Sequence, residues 1–183
     1  MRFCLQVDSE ERETWAAYVC QSLKTMNEPA KRQAWDSWIE TYWKKRISGI
    51  PAPLDGPEIA AMLHWTPQLG EAFPESVVKA IESPFPAWGG SPVHFLYEDL
   101  SATDLPERYP GPATRLLLRL LQSGLLPQPD FVGVDEIVKR LASAGAPKQD
   151  LVRVCEELAR IGDTQANRLR NAIETGPDDH HNH

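Results

Sequence analysis

The apolar residues of this chain recur at helical spacing, and prolines and glycines separate the recurring runs. From Trp15 to Ile161 the apolar positions follow steps of three and four, which is the pattern of helices with one buried face. The 16 prolines and 11 glycines stand between these runs. No segment alternates apolar and polar residues with β-branched enrichment, as a half-buried strand would. We therefore predict an all-α fold.

The helices that this spacing predicts cover most of the chain. They span residues 9–26, 30–47, 55–65, 74–81, 93–100, 111–123, 134–142, 151–161 and 163–173. Ser9 is expected to cap the first helix, Pro29 to separate the first two, and Gly145 and Gly162 to end theirs. A loop is predicted over residues 83–92 and a disordered tail over 175–183, so residues 1–174 are predicted to form a single all-α domain.

A short motif occurs twice. Leu69–Pro74 reads LGEAFP and Leu105–Pro110 reads LPERYP, so Leu, Glu, an aromatic residue and Pro recur in the same order before an apolar run. The interval between the two copies is the length of a helical-hairpin repeat. The repeat predicts helical hairpins stacked in a solenoid-like or irregular bundle array.

Composition restricts the partners and the compartment. The net charge of −7 repels phosphate backbones, which disfavours nucleic acid as a partner. The odd number of cysteines (Cys4, Cys20 and Cys155), each in or beside an apolar helical pattern, predicts buried free thiols in a reducing compartment. With no signal-peptide pattern and no apolar run long enough to span a membrane, we expect a cytoplasmic location.

Residues that could carry catalysis or bind a metal fit structural roles better. Ser91 lies near His94, but Pro92 follows it where a nucleophile elbow needs glycine. His64 has no second ligand one helical turn away, and the histidines of the tail lie in a segment that cannot hold a catalytic geometry. No phosphate-binding, dinucleotide-binding or zinc-protease motif occurs. We predict no enzymatic activity, no cofactor and no metal.

The helix predicted over residues 30–47 carries an aromatic stripe. Trp35, Trp38, Tyr42 and Trp43 share one face at steps of three and four, a pattern more typical of a core than of a cofactor site. We expect Trp38 and Ile39 to lie in the core and Trp35 nearer its edge. The remaining interpretation is a docking face, since Trp and Tyr are enriched at interface hot spots.

The N-terminal helix is the predicted contact with another chain, because only one neighbouring helix is expected to cover its apolar face. The predicted partner-binding residues are Trp15, Tyr18, Leu23 and Trp35. The alternative is a nucleic-acid surface made of Lys44, Lys45, Arg46, Arg115 and Arg119.

Residues of about 30–125 resemble a known but uncharacterised domain. The residues that carry the resemblance are Trp35, Trp38, Tyr42, Trp43, Arg46 and Ile47, then Pro57–Ala60 and Leu63, then Gly70–Glu75, then Val93, His94, Leu96, Leu100 and Thr103–Leu105, then Glu107–Pro110, Ala113 and Arg115–Leu117. They are similar to the C-terminal helical domain of large bacterial proteins, some of which carry a sirtuin-like or NTPase module and are linked to defence against phage.

This resemblance implies a setting and transfers no catalytic residue. Because the chain has no room for an upstream enzymatic module, it is expected to be a separate subunit, a shortened relative, or the product of internal initiation at Met1. The expected function is a non-catalytic scaffold or small subunit that mediates protein–protein assembly in a bacterial complex, with phage defence as the setting. A nucleic-acid-associated helical subunit is the alternative.

Overall fold

The computed structural model describes residues 8–48, 58, 61–62, 64–72, 91–122 and 133–175. These residues form helices with no strand among them, so the predicted all-α fold is confirmed. The predicted helix at 74–81, most of the predicted loop at 83–92, and residues 176–183 of the predicted tail lie outside the described residues.

The described residues from 8 to 72, here called the N-terminal region, begin with a helical hairpin. The elements of the N-terminal region are α1 (Ser9–Thr25), α2 (Glu28–Ala34), a π-helical turn (Trp35–Ile39), α3 (Glu40–Ile47) and two 3₁₀ turns (Thr66–Gln68 and Gly70–Ala72). Between α3 and the first 3₁₀ turn, Glu58, Ala61 and Met62 are also helical.

The described residues from 91 to 175, here called the C-terminal bundle, contain six helices. They are α4 (Ser91–Ala102), α5 (Leu105–Arg108), α6 (Pro110–Gln122), α7 (Val134–Ser143), α8 (Lys148–Arg160) and α9 (Ala166–Thr175). Helix α9 therefore extends one residue into the segment predicted to be a disordered tail.

Several helices begin differently from the prediction. Asp8, and not Ser9, caps α1: its carboxylate accepts a hydrogen bond from the backbone N–H of Glu11 at 2.9 Å. Pro29 does not break a helix but lies in the first turn of α2, and Pro92 lies in the first turn of α4, inside the segment predicted as a loop. Proline is tolerated there because the first N–H groups of a helix have no partner within it.

The predicted helix ends at Gly145 and Gly162 are confirmed. Both glycines have positive φ, +81° and +93°, which side chains rarely adopt. In each case a backbone N–H just beyond the helix reaches back to close the last turn: Ala146 donates to the carbonyl of Leu141 at 3.0 Å, and Asp163 donates to that of Leu158 at 2.9 Å.

The π turn contains one buried tryptophan, Trp35, and one partly buried tryptophan, Trp38. The N–H of Glu40 donates to the carbonyl of Trp35, five residues back, so this turn holds more residues than an α turn. Trp35 and Ile39, four residues apart, both point into the core, and Trp35 is only 3% exposed. Trp38 is rotated toward the margin and is partly buried. The expectation that Trp38 lies deeper than Trp35 is therefore wrong.

The helices of the C-terminal bundle contact one another out of chain order. Helix α8 packs against α6 as well as against α9, while α7 contacts α4, α5, α6, α8 and α9. In a solenoid each repeat contacts only its neighbours along the chain. The predicted solenoid-like arrangement is not confirmed, and these contacts fit the irregular bundle that was its alternative.

One arginine ties three elements of the bundle together. The guanidinium of Arg140 on α7 donates to the backbone carbonyl of Ser101 at the end of α4 at 2.8 Å and also to that of Thr103. It makes a two-pronged ion pair with Glu107 on α5, at 2.5 and 2.7 Å. The last carbonyls of a helix have no hydrogen-bond donor within the helix, and Arg140 supplies donors to those at the end of α4.

Candidate functional site

Helix α1 places a large aromatic side chain in solvent. Ala16, Val19 and Leu23 on its inner face are buried, whereas Tyr18, on the outer face, is 71% exposed. Among the described residues, Tyr18 and Met26 are the exposed large hydrophobic side chains. Tyrosine in this position can bury much apolar area against another chain while its hydroxyl keeps a polar contact.

Two tryptophans, Trp15 and Trp38, lie at the margin of the core. Trp15 is one helical turn before Tyr18 on α1, and its ring centroid is 5.4 Å from that of Trp38. Both tryptophans are partly buried. We call Trp15, Tyr18 and Trp38 the aromatic patch. Its two tryptophans rest on a fully buried ring, since Trp15 and Trp38 both contact Trp65, at centroid distances of 5.8 and 6.2 Å.

The structure separates the four residues predicted to bind a partner. Tyr18 is exposed and Trp15 is partly exposed, as a docking surface requires. Leu23 and Trp35, however, are 1% and 3% exposed, because the inner face of α1 and the π turn both pack into the core of the same chain. Their proposed partner contacts are thus made within the fold, and this part of the prediction is corrected.

The residues of the predicted nucleic-acid surface are also separated. Arg46 is fully buried against Glu58, so it cannot reach a phosphate, and its inclusion in that surface is wrong. Lys44 pairs with Glu40 at 2.7 Å, and Lys45 is only partly exposed. The other two predicted residues, Arg115 and Arg119, lie partly buried on α6 in the C-terminal bundle.

The buried partner of Arg46 organises the N-terminal region. The carboxylate of Glu58 accepts two hydrogen bonds from Arg46, both at 2.6 Å, one from Arg12 at 3.1 Å and one from the Tyr42 hydroxyl at 3.3 Å. Burial alone would raise the pKa of Glu58, but the hydrogen bonds from Arg46 and Arg12 outweigh it and hold the pKa below its usual value. The cluster anchors α1 to α3 through ions that are paired and hydrogen-bonded.

Sequence reasoning missed this cluster, although the helical spacing contains its signal. Arg46 is the last member of the buried stripe that begins at Trp35, and Arg12 is the first member of the buried stripe that runs to Leu23. A charged residue in register with an apolar stripe predicts a buried ion pair. The alternative prediction instead grouped Arg46 with Lys44 and Lys45 in a nucleic-acid surface.

A groove lies along the other flank of α1. On α1 it is lined by one helical stripe, Glu13, Ala17, Cys20, Gln21 and Lys24, and on the opposite wall by Ala61 and His64. Its volume is about 400 Å³. Gln21 lies one helical turn after Tyr18 on α1, so the groove and Tyr18 flank the same exposed helix face.

The wall of the groove is held by the C-terminal bundle. The Nδ1 atom of His64 lies 3.4 Å from a carboxylate oxygen of Asp99 on α4. Burial raises the pKa of Asp99, and the nearby His64 opposes that shift. This contact, together with packing of α4 against the Thr66–Gln68 turn, links the two regions of the chain.

Cys20, at the bottom of the groove, has the surroundings of a protonated thiol. Its Sγ donates a hydrogen bond to the backbone carbonyl of His64 at 3.4 Å, and burial raises the pKa of the thiol. Nucleophilic cysteines have a lowered pKa instead. Cys20 and Cys155 are buried free thiols, as predicted, whereas Cys4 lies outside the described residues.

The remaining candidate catalytic and metal-binding residues add no side-chain contacts to the site. Ser91 and His94 lie in α4, but their side chains are outside the described part of the structure, as are the histidines of the tail. Within the described ranges no group of three or more His, Cys, Asp or Glu side chains is arranged to hold a metal ion. None of the described helices combines the length and the apolar character needed to cross a membrane.

Comparison with known proteins places the chain in one family. Residues 3–158 match the family described as "Domain of unknown function (DUF4020)", and the chain belongs to this family. A search of the curated proteins and a search of the solved structures found no match.

Proposed function

We propose that this member of the DUF4020 family is a non-catalytic helical scaffold or small subunit that mediates protein–protein assembly. The observation that carries the proposal is the exposure of Tyr18, one helical turn after partly buried Trp15, on a helix whose opposite face is anchored in the core. Trp and Tyr are the residue types most enriched among interface hot spots.

The way α1 is held supports this function. Arg12 bonds to buried Glu58, and the carbonyl of Ala16 accepts a hydrogen bond from the Trp65 indole N–H at 2.8 Å. Both bonds fix the inner side of α1, so the aromatic patch is presented by a rigid element. A rigid surface loses little conformational entropy when a partner binds, which favours affinity.

The proposed setting is a bacterial complex in the cytoplasm, with phage defence as its role. The setting rests on the resemblance of residues 30–125 to helical domains of large bacterial defence proteins. Two buried free thiols, Cys20 and Cys155, suit a reducing compartment. The alternative, a nucleic-acid-associated subunit, is supported less, since Arg46 is buried and the net charge is −7.

The test compares one substitution on the aromatic patch with a matched one elsewhere. Tyr18→Glu places a carboxylate at the exposed residue of the patch, and Gln149→Glu places one on the exposed first turn of α8. Each variant is co-expressed with the proteins encoded by the flanking genes, and the mass of the purified complex is measured by light scattering. We expect Tyr18→Glu to abolish the complex and Gln149→Glu to retain it. A wild-type chain that remains a monomer with every neighbour would contradict the proposal.

A further inference from the structure

The groove beside α1 is long enough for another helix to pack in it. Its α1 wall runs from Glu13 to Lys24, which is three helical turns or about 16 Å. Its second wall is formed by Ala61 and His64 of a neighbouring segment. An open groove of about 400 Å³ along a helix of this length presents a surface on which a second helix can pack.

The middle of the groove is small and apolar. Ala17, Cys20 and Ala61 lie there, between the charged and polar residues of the ends and rim. Small side chains let the backbone of a second helix approach closely while larger side chains of that helix fill the space above them. An amphipathic helix laid on such a groove is a recurring mode of peptide recognition.

The two ends of the groove differ in charge. Glu13 lies at one end of the α1 wall and Lys24 at the other, and both side chains are exposed. Neither lies within ion-pair distance of another described residue, and Lys24 also interacts at longer range with Asp99. A ligand that matches this surface carries a basic group at one end, an acidic group at the other and apolar side chains between them.

We propose that the groove binds an amphipathic helix of about three turns from a partner protein, with a basic side chain toward Glu13 and an acidic side chain toward Lys24. This inference rests on the proposed function and deepens it, because it gives the partner a secondary structure, a length and a charge pattern.

Three synthetic helical peptides of 12 residues test the charge pattern. They share one leucine stripe and differ at the ends: one carries arginine at one end and glutamate at the other, one carries arginine at both, and one carries glutamate at both. We expect the mixed peptide to bind the full chain about threefold to fivefold more tightly than either of the others, as measured by fluorescence anisotropy. In Lys24→Glu both ends of the groove are acidic, so the preference should move to the peptide with two arginines. Tightest binding of that peptide to the wild type would reveal general attraction to an acidic protein and would overturn the proposal.

A pair of substitutions tests the location. Ala17→Trp fills the groove from an exposed position, while Thr14→Trp adds the same side chain to α1 outside the groove. Circular dichroism and thermal melting establish that both variants are folded. We expect Ala17→Trp to lower the affinity for the mixed peptide at least tenfold. Thr14→Trp should leave this affinity within twofold of the wild-type value.

The failure of this inference is distinguishable from the failure of the docking function. If Tyr18→Glu disrupts assembly with a neighbouring protein while Ala17→Trp does not, the docking function stands and the helix-in-groove proposal is overturned. If the wild type forms dimers that Ala17→Trp dissociates and no peptide binds, the groove belongs to a second copy of this chain, which also overturns the proposal.

Discussion

The N-terminal region and the C-terminal bundle are stabilised by different interactions. In the N-terminal region a buried carboxylate, Glu58, holds two arginines beneath a set of contacting aromatic rings. The core of the bundle is aliphatic, with residues such as Leu117, Leu120 and Val154 fully buried. The ion pairs of its helices lie at or near the surface. The first region therefore depends on the position of charged atoms, and the second depends on filled volume.

This difference explains why the candidate site lies where it does. Buried ion pairs are costly to form and tolerate little displacement, so they fix the relative positions of α1, α3 and the segment that contains Glu58. The bundle in turn fixes the far wall of the groove through Asp99 and His64. The exposed face of α1 is thus held from beneath by the N-terminal region and from one side by the bundle.

The largest effect on the free energy of unfolding is expected when the two buried arginines lose Glu58, the carboxylate that they share. Glu58→Ala leaves Arg46 and Arg12 facing a cavity and should lower the free energy of unfolding by about 3–5 kcal/mol. Chemical denaturation measures it, with Glu10→Ala on the exposed face of α1 as the control. A loss below 1 kcal/mol would show that the cluster does not hold the N-terminal region together.

In the C-terminal bundle the free energy of unfolding should depend on the volume of the buried side chains. Leu117→Ala opens a cavity in the aliphatic core and should cost about 2–5 kcal/mol, whereas Leu117→Met keeps the volume and should cost less than about 1.5 kcal/mol. Glu58→Gln is similarly isosteric but should remain strongly destabilising, since it removes the charge. Equal costs for Leu117→Met and Glu58→Gln would remove the distinction between the two regions.

The ion pair that joins α5 to α7 should contribute less than the buried cluster. Arg140→Ala removes the pair with Glu107 and the hydrogen bonds to the end of α4, and we expect a loss of about 1–2 kcal/mol because the site is partly exposed. Glu107→Gln removes only the ion pair and serves as the comparison. If the two variants lose the same free energy, the bonds to the α4 carbonyls contribute nothing.

Acid should weaken the N-terminal region through Glu58. Its pKa is held below the usual value, so the carboxylate binds protons more readily in the unfolded chain. This contribution to stability is present above about pH 4.3 and is lost as the pH falls through the lower pKa of the folded state. Unfolding measured from pH 7 to pH 3 should therefore show a smaller acid-induced loss in Glu58→Gln than in the wild type. Parallel pH profiles would refute this assignment.

The smallest effect on stability is expected at the aromatic patch. Tyr18 is exposed, and Tyr18→Glu should change the free energy of unfolding by no more than about 0.5 kcal/mol. A thermal melt of the isolated chain measures this change. A loss above 2 kcal/mol would mean that Tyr18 packs into the fold, and the patch would then be structural.

The helices could be predicted from the sequence because burial imposes steps of three and four, as along Ala16, Val19 and Leu23. Proline was misread as a terminator at Pro29, where it starts a helix. The relative burial of Trp35 and Trp38 was also mispredicted, although Trp35 is in register with the buried positions Ile39, Tyr42 and Arg46. Arg46 shows a different limit: its register indicated burial, but its partner Glu58 is brought to it only by the tertiary fold.

The central claim, that the exposed face of α1 is a docking surface for another protein, has a direct test inside cells. A photo-reactive benzoylphenylalanine replaces Tyr18 in one strain and Gln149, exposed on α8, in another, and both strains are irradiated. The account predicts a cross-link from position 18 to one defined protein, suppressed by the additional Trp15→Ala substitution, and none from position 149. The absence of a cross-link from position 18, or the same products from both positions, would contradict it.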